Sequence, residues 1–255
     1  MRKCIKLFSL LLFLSVLGLG VTSCNDDEGY SLDKYWEDIV TVNKIGENTY
    51  DFTMDDGTKL WVAAPAGLNL KPKYDRAIIN YTILSDKEGI YDHYVRLNGF
   101  YDVLTKKPVY IAEGDKVKQD SIGHDPIKVH AIWDGGDYLN IYFGFNVSGS
   151  EAHMLNLVSD QENLSINDDV VKLEFRHNRK NVNIPDKYTT NGYVSFNLEP
   201  YKIEGRNKVT FEISWKDFGG KTESKTIEYK YDGMDASLNE NMVTISEDMT
   251  NLNIY

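Results

Sequence analysis

Apolar and polar residues alternate along most of this chain, which is the pattern of half-buried β-strands. In the segment 138–147, one face of the predicted strand carries Leu139, Ile141, Phe143, Phe145 and Val147. Similar alternation recurs between residues 127 and 231 and gives about seven short strands separated by turn signals. The pattern therefore predicts a β-sandwich in the second half of the chain.

The first half of the chain carries shorter and less regular strand patterns. Strands are predicted at Ile39–Ile45, Asn48–Met54, Arg76–Leu84, Tyr91–Leu97 and Tyr101–Ile111. About five strands in roughly 75 residues suit a small, partly open barrel of the OB type. A meander or a half-sandwich would give the same pattern, so the pattern alone leaves those alternatives open. The predicted fold class is all-β, with a small OB-like barrel followed by a β-sandwich.

Asp55-Asp56-Gly57 predicts a tight hairpin between the second predicted strand and the next one. As a three-residue loop with Gly57 in the left-handed conformation, it places Leu60 beside Phe52 and turns Trp61 to the other face. A two-residue Asp56-Gly57 turn would exchange the faces, and we prefer the first register because it makes one face apolar. Trp61 is then a candidate ligand platform on the outer face of the barrel, unless the sandwich or the next loop covers it.

The N-terminus has a different pattern, in which basic Met1-Arg2-Lys3 precedes an apolar run from Leu7 to Gly20. The run is within the roughly 7 to 15 residues of a secretory signal and shorter than the roughly 20 that span a bilayer. The Val21-Thr22-Ser23-Cys24 segment that follows resembles a bacterial lipobox, whose cysteine becomes the lipid-modified first residue. We predict a lipoprotein signal peptide at residues 1–23 and a membrane anchor on Cys24; an ordinary signal peptide with an incidental cysteine is the alternative.

An acidic cluster follows the predicted lipidation site and consists of Asn25, Asp26, Asp27 and Glu28. It resembles the export signal of surface lipoproteins in the Bacteroidetes, and the alternative is a solvated spacer. The resemblance favours an outer-membrane protein that faces the cell exterior, although the sequence leaves surface and periplasmic display open.

The chain of 255 residues is long enough for two domains. We predict a lipidated tether at 24–35, the OB-like barrel at 36–113, a linker at 114–123, the sandwich at 124–235 and a C-terminal edge strand or tail at 236–255. Loss of Arg2, Lys3 and Lys6 with the signal peptide shifts the formal net charge from −11 to −14. That acidity argues against nucleic acid as a partner, because a nucleic-acid surface must neutralise phosphates.

Sequence motifs for catalysis are absent. Cys4 leaves with the signal peptide and Cys24 is committed to lipid, so the folded part has no thiol for a disulfide, a zinc site or a nucleophile. Metal-ligand spacing is lacking among the five histidines His93, His124, His130, His153 and His177. We therefore predict no metal, no cofactor and no enzymatic activity, with a glycan hydrolase that uses a carboxylate pair as the alternative.

One further motif is the tripeptide Asp120-Ser121-Ile122 in the predicted linker. It resembles the Asp-Ser/Thr-apolar acceptor of Bacteroidetes O-glycosylation, which makes Ser121 a candidate modification site.

The whole chain resembles one family, the NigD-like lipoproteins of Bacteroidetes. The resemblance rests on the lipobox and on the segments Arg76–Leu84, Asp137–Ile141, Leu173–Asn178 and Val194–Leu198. It implies an OB-like domain before a β-sandwich, and an immunity role from the bacteriocin locus that gives the family its name. It carries no catalytic residues. The resulting hypothesis is a non-catalytic binding or protection module for an extracellular glycan or a bacteriocin-like protein.

Overall fold

The computed structural model describes residues 30–147, 152–165, 167–180 and 188–231, without the side chains of residues 87 and 88. The predicted signal peptide, Cys24, the acidic cluster that follows it and the predicted C-terminal segment 236–255 lie outside these ranges. No helix within the described ranges is long and apolar enough to cross a bilayer.

The N-terminal strands form a closed barrel. They are β1 (Trp36–Lys44), β2 (Tyr50–Met54), β3 (Lys59–Ala64), β4 (Arg76–Glu88) and β5 (Tyr91–Lys106). They pair in the order β3-β2-β1-β4-β5, and a parallel pairing of β3 with β5 closes the ring. The interior is filled by fully buried apolar side chains that include Val40, Phe52, Leu60, Ile79 and Val95. The barrel predicted from the strand pattern is therefore confirmed.

The hairpin between β2 and β3 has the preferred register. Phe52 pairs with Leu60, and both side chains are buried in the barrel. Gly57 has φ 85°, a left-handed conformation that glycine adopts at little steric cost, and its N–H donates to the carbonyl of Met54 at 2.9 Å. Trp61 follows Leu60 and consequently points to the outer face of the barrel.

The predicted break at Asn98-Gly99 is wrong, because β5 continues through it for 16 residues. Leu97 pairs with Tyr81 and Gly99 with the adjacent Asn80, so Asn98 is the extra residue of a β-bulge. Its side-chain amide donates to Asn80 Oδ1 and to Thr82 Oγ1 at 3.0 Å each, which explains how the strand holds the bulge without ending.

The C-terminal strands form the predicted β-sandwich. They are β6 (Val109–Tyr110), β7 (Lys128–Gly135), β8 (Tyr138–Val147), β9 (Met154–Ser159), β10 (Val170–Asn178), β11 (Tyr188–Asn197), β12 (Lys208–Lys216) and β13 (Thr222–Lys230). One sheet has the order β13-β12-β10-β9-β6, and the other contains β11, β8 and β7. Aromatic side chains fill the space between the sheets, among them Phe143, Phe145, Phe175, Phe196 and Phe211.

A single strand joins the two domains. Leu104, at the end of β5, pairs in parallel with Val194 of β11, so one eight-stranded sheet runs from the barrel into the sandwich. β6 pairs with β9 of the sandwich. Residues 36–113 are predicted to form the barrel, whereas these pairings give the end of β5 and all of β6 to the sandwich sheets.

The predicted linker contains α1 (Lys116–Ile122), the one α-helix of the described chain. Asp115 caps its N-terminus by accepting the N–H of Lys118 at 3.0 Å. Ile122 is buried with Ile111 and Val158, which fixes the helix on the sandwich. No helix is predicted here, because a segment of seven residues with one buried apolar side chain is too short to show a helical period.

Candidate functional site

Three aromatic side chains form a partly exposed group on the barrel. We call it the outer aromatic surface and define it by Trp61, Tyr91 and Tyr94. Trp61 pairs with Tyr94 across β3 and β5. The ring of Trp61 lies 5.2 Å from that of Tyr91, and Tyr91 meets Tyr94 edge to face at 6.2 Å. All three are half-buried, so each presents part of its ring to solvent. Trp61 lies on β3, and strands 2 and 3 form the usual ligand-binding face of OB folds.

Carboxylates flank the outer aromatic surface. Asp51 accepts the phenol of Tyr91 at 2.9 Å and the side-chain amide of Asn43 at 2.8 Å. Asp92 accepts the backbone N–H of Lys59 at 2.9 Å. Desolvation and then the hydrogen bond to Asp51 raise the pKa of Tyr91 to about 12, so its phenol stays protonated and donates. The surface therefore offers flat apolar rings beside fixed polar groups, a combination suited to binding.

The other predicted site residues are not brought to this surface. Ser121 lies in α1 with an exposed side chain, and its carbonyl accepts the amide of Asn178 at 2.9 Å. Its glycosylation stays a prediction. Cys24 and the export cluster 25–28 lie outside the described residues, so their roles also stay predictions.

A buried polar cluster between the two domains escaped the sequence analysis. We call it the interdomain cluster and define it by Asp55, Arg76, Trp133, Asn140 and Ser195. Arg76 is fully buried and donates to Asp55 at 2.5 Å and to Asn140 at 3.2 Å. Asp55 also accepts from Trp133 at 2.9 Å and from Asn140 at 3.0 Å. Ser195 donates to Asn140 at 2.7 Å.

The interdomain cluster joins residues that are far apart in the sequence. Asp55 lies in the barrel hairpin and Arg76 on β4, whereas the other three residues belong to the sandwich. The sandwich backbone approaches closely, because a Cβ on Gly135 would lie 2.0 Å from the carboxylate carbon of Asp55. No local motif marks such a contact, so sequence reasoning had no signal for it. Since the carboxylate of Asp55 holds three donors, the cluster has the geometry of a structural connection.

An apolar contact continues the interface beside the cluster. Ile78 of the barrel packs with Val103 and Tyr193, and Ile39 and Trp133 border this group. Tyr138 and Asn140 are buried, so β8 has both faces covered near its start. This differs from the half-exposed strand that alternation predicts.

Two of the five histidines form a buried pair. The rings of His153 and His177 stack on each other with centroids 5.0 Å apart, and a ring nitrogen of one lies 2.7 Å from a ring nitrogen of the other. Both rings also stack on Phe145. The second nitrogen of His177 lies 3.1 Å from the carbonyl of Pro126, so it donates there and the other nitrogen accepts from His153. Within the described residues, no group of three or more His, Cys, Asp or Glu side chains could hold a metal ion.

Two further histidines lie at the surface of the sandwich. His124 is 3.1 Å from the carboxylate of Glu174, yet desolvation is the larger effect and lowers its pKa. His130 lies at a bulge in β7. Its ring centroid is 4.7 Å from that of Tyr142, and its Nε2 lies 3.0 Å from Asn191 Oδ1. Each therefore has local partners that account for its position.

Comparisons with known proteins agree with this architecture. Residues 39–103 match the model of the NigD-like N-terminal OB domain, and residues 108–230 match that of the NigD-like C-terminal β-sandwich domain. Among proteins with curated descriptions, none matches the chain.

Several solved structures share the fold. One from Parabacteroides distasonis, described as toxin-related, is 32% identical with a TM-score of 0.65, over 78% of this chain and 95% of that one. A protein of unknown function from Bacteroides vulgatus is 24% identical with a TM-score of 0.66, over 86% and 100% of the two chains. A NigD-like immunity protein from Bacteroides caccae is 22% identical with a TM-score of 0.60, over 79% and 99%.

Proposed function

The chain belongs to the NigD-like family, and we propose that it is a non-catalytic, lipid-anchored protein of the outer membrane that binds an extracellular ligand. The outer aromatic surface is the observation that carries this proposal. Rings that stay partly exposed beside an immobilised carboxylate lose little side-chain entropy when a ligand packs on them, which favours binding.

The ligand class follows from the same surface and from the relatives. Flat rings beside hydrogen-bonding groups suit the faces of sugar rings, which makes an extracellular glycan one candidate. The second candidate is a protein toxin of the bacteriocin type, because one relative is described as an immunity protein and another as toxin-related. Protection of the cell would then follow from capturing the toxin outside it.

The test of the binding site is Trp61→Ala. Loss of the half-buried ring of Trp61 from its contact with Tyr91 should lower the stability by about 1 to 2 kcal/mol and weaken ligand binding at least about tenfold. Tyr188→Ala is the matched control, because Tyr188 is an aromatic residue of the sandwich that is 61% exposed. Binding would be followed on an array of polysaccharides and with purified bacteriocins; equal affinity of the two variants would exclude this surface.

The non-catalytic character has its own readout. Each glycan or protein that binds should be recovered unchanged after prolonged incubation, as measured by reducing-end assay and by mass spectrometry. New reducing ends or peptide fragments would favour the hydrolase instead.

The anchor is tested separately from the ligand. Cys24→Ala should move the protein from the membrane fraction to the soluble fraction, because the lipid chains provide the membrane affinity. Replacing Asp26 and Asp27 by Ala should leave the protein in membranes but protect it from protease added to whole cells. Continued cleavage by that protease would mean that the acidic cluster is only a spacer.

A further inference from the structure

The barrel and the sandwich separate on one side of the strand that joins them. β5 and β11 pair through residues 104–106 and 194–196. Before these residues, β5 continues in the barrel beside β4, whereas β11 continues in the sandwich beside β8. The two strands therefore enclose an opening between the domains, which we call the strand fork, and ligand sites are frequent at such domain boundaries. Five residues define its lining: Glu37, Tyr101, Tyr142, Asn191 and Tyr193.

The sandwich side of the strand fork presents two hydroxyl groups from a pair of stacked tyrosines. Tyr193 of β11 pairs with Tyr142 of β8, and their ring centroids are 4.7 Å apart with 20° between the planes. Tyr193 is only 8% exposed, yet its hydroxyl oxygen keeps contact with solvent. Neither hydroxyl makes a hydrogen bond within the described chain, whereas the phenol of the buried Tyr81 donates to Asp38 at 2.8 Å. The stacked pair thus holds two hydrogen-bonding groups that the fold itself does not use.

A side-chain amide lies beside the stacked pair. Asn191 of β11 is opposite Gly144 of β8, and a Cβ on Gly144 would lie 2.7 Å from Asn191 Oδ1, so the amide lies directly over that glycine. Nε2 of His130 lies 3.0 Å from the same oxygen and fixes the amide. The amide nitrogen of Asn191 has no acceptor within the described residues, so it adds further donors to the strand fork.

The barrel side of the strand fork carries an exposed ring and a carboxylate. Tyr101 pairs with Ile78 across β5 and β4, so its ring lies on the barrel face that contacts Tyr193, and it is 44% exposed. Oε1 of Glu37 accepts the amide of Asn80 at 2.9 Å, which leaves Oε2 as a fixed acceptor. Desolvation chiefly, and also the charge of Glu37, raise the pKa of Tyr193, so its hydroxyl stays protonated.

The combination of groups selects one chemical class of ligand. The lining has one carboxylate and no Lys or Arg, so anions such as phosphates and uronic acids are repelled. An ammonium or guanidinium group has donors only and would leave the amide N–H groups of Asn191 without an acceptor. A sugar hydroxyl both donates and accepts, which matches the hydroxyls of Tyr142 and Tyr193 as well as Glu37. The apolar face of a sugar ring can pack on the exposed ring of Tyr101.

We propose that the strand fork binds a neutral sugar unit of a glycan. Both domains contribute to the site, because the hydroxyls and the amide come from the sandwich, and the carboxylate and the exposed ring come from the barrel. The strand fork shares no residue with the outer aromatic surface, so this site is independent of the proposed function.

Isothermal titration of the full mature protein with four neutral hexasaccharides tests the proposal; the probes are cellohexaose, maltohexaose, xylohexaose and chitohexaose. At least one of them should bind, and hexagalacturonate, an anionic hexasaccharide, should not. Tyr142→Phe combined with Tyr193→Phe keeps the stacked rings and removes both hydroxyls, which should weaken binding about tenfold. Tyr101→Ala should weaken binding by a similar factor from the barrel side. Tyr110→Phe is the matched control, because Tyr110 is a half-buried tyrosine on β6 in the other sheet, and it should bind as the wild type does.

Four results would overturn the proposal. They are no binding of any neutral hexasaccharide at millimolar concentration, unchanged affinity in the double phenylalanine variant or in Tyr101→Ala, equal weakening by Tyr110→Phe, and displacement of the sugar by a neutral Gly-Ser hexapeptide. Trp61→Ala separates the two sites. Sugar binding that is lost in Trp61→Ala alone would support the outer aromatic surface and exclude the strand fork, whereas binding that is lost in the strand-fork variants alone would support the strand fork.

Discussion

Burial lowers the pKa of His177 to about 4, because the imidazolium would lose its hydration between Phe145 and His153. The unfolded chain has a pKa near 6.5, so it takes up this proton first as the pH falls. The stabilisation from the neutral ring is complete above about pH 6.5 and is lost as the pH falls towards 4. The loss should be about 2 to 3 kcal/mol by pH 4.5.

The glutamine variant isolates this effect. His177→Gln keeps a donor for Pro126 and an acceptor for His153 but cannot titrate. Urea unfolding of both proteins between pH 7.5 and 4.5 should show the wild type losing more stability than the variant. Parallel pH profiles would mean that His177 takes up no extra proton on unfolding.

Asp38 behaves in the opposite direction. Desolvation is the main reason why its pKa is raised to about 6, although its hydrogen bond with Tyr81 at 2.8 Å counteracts this. A carboxyl whose pKa is raised on folding contributes a stabilisation that is complete below about pH 3.8. This stabilisation is lost as the pH rises through about 6. Asp38→Asn should therefore raise stability at pH 7 by about 1 to 2 kcal/mol and change little at pH 4. A destabilised variant at pH 7 would show that the charge is better solvated than its burial suggests.

At the scale of elements, the hairpin between β2 and β3 is also the connection between domains. Asp55→Ala would leave the guanidinium of Arg76 buried without its counter-charge, and breaking such a pair costs about 3 to 5 kcal/mol. Asp56→Ala is the matched control in the same turn. The carboxylate of Asp56 accepts the N–H of Thr58 at 2.9 Å, and loss of this hydrogen bond should lower the stability by about 1 kcal/mol. The free energies of unfolding in urea give the comparison. Similar losses in the two variants would mean that the cluster does not stabilise the interface.

The same hairpin shows which features a sequence can predict. Its register followed from Asp55-Asp56-Gly57 because turn geometry and one apolar face are local properties. The bulge at Asn98 did not, since Asn-Gly is a common turn signal and the bonds that hold the strand straight come from Asn80 and Thr82 on β4. The contacts of Asp55 are less local still, because they depend on how two domains pack.

The candidate sites divide along the same line. Trp61 could be placed on the outer face by alternation alone, but its neighbour Tyr91 joins it through tertiary geometry. Sequence patterns thus locate side chains on faces, whereas the electrostatic environment requires the packed structure.

At the scale of the whole molecule, the described chain from Leu32 onwards forms one compact unit. β5 belongs to the barrel and also to the sandwich sheet that contains β11, and the interdomain cluster lies beside it, so we expect the barrel and the sandwich to unfold together. Tryptophan fluorescence can report the sandwich separately, because Trp36→Phe with Trp61→Phe leaves Trp133 and Trp215 of the four tryptophans. This double variant keeps the hydrogen bond from Trp133 to Asp55 in the interdomain cluster.

Unfolding of this double variant would be followed by fluorescence and by far-UV circular dichroism, and coincident midpoints of the two transitions are expected. A fluorescence transition that precedes or follows the dichroism transition would show that the sandwich unfolds independently of the barrel, and the shared strand would then be a flexible connection.

The shared strand also sets an order of events during folding. Leu104 and its partner Val194 are separated by 90 residues, and β11 lies between β5 and β8 in the finished sheet. Because the N-terminal part of the chain is synthesised first, the barrel can close while the last residues of β5 still lack a neighbour. Such an open edge can pair with other chains until β11 arrives. We therefore expect insertion of β11 to be the slow closing step of folding, and mutations in β11 to cause misassembly of newly synthesised protein more than loss of stability once it is folded.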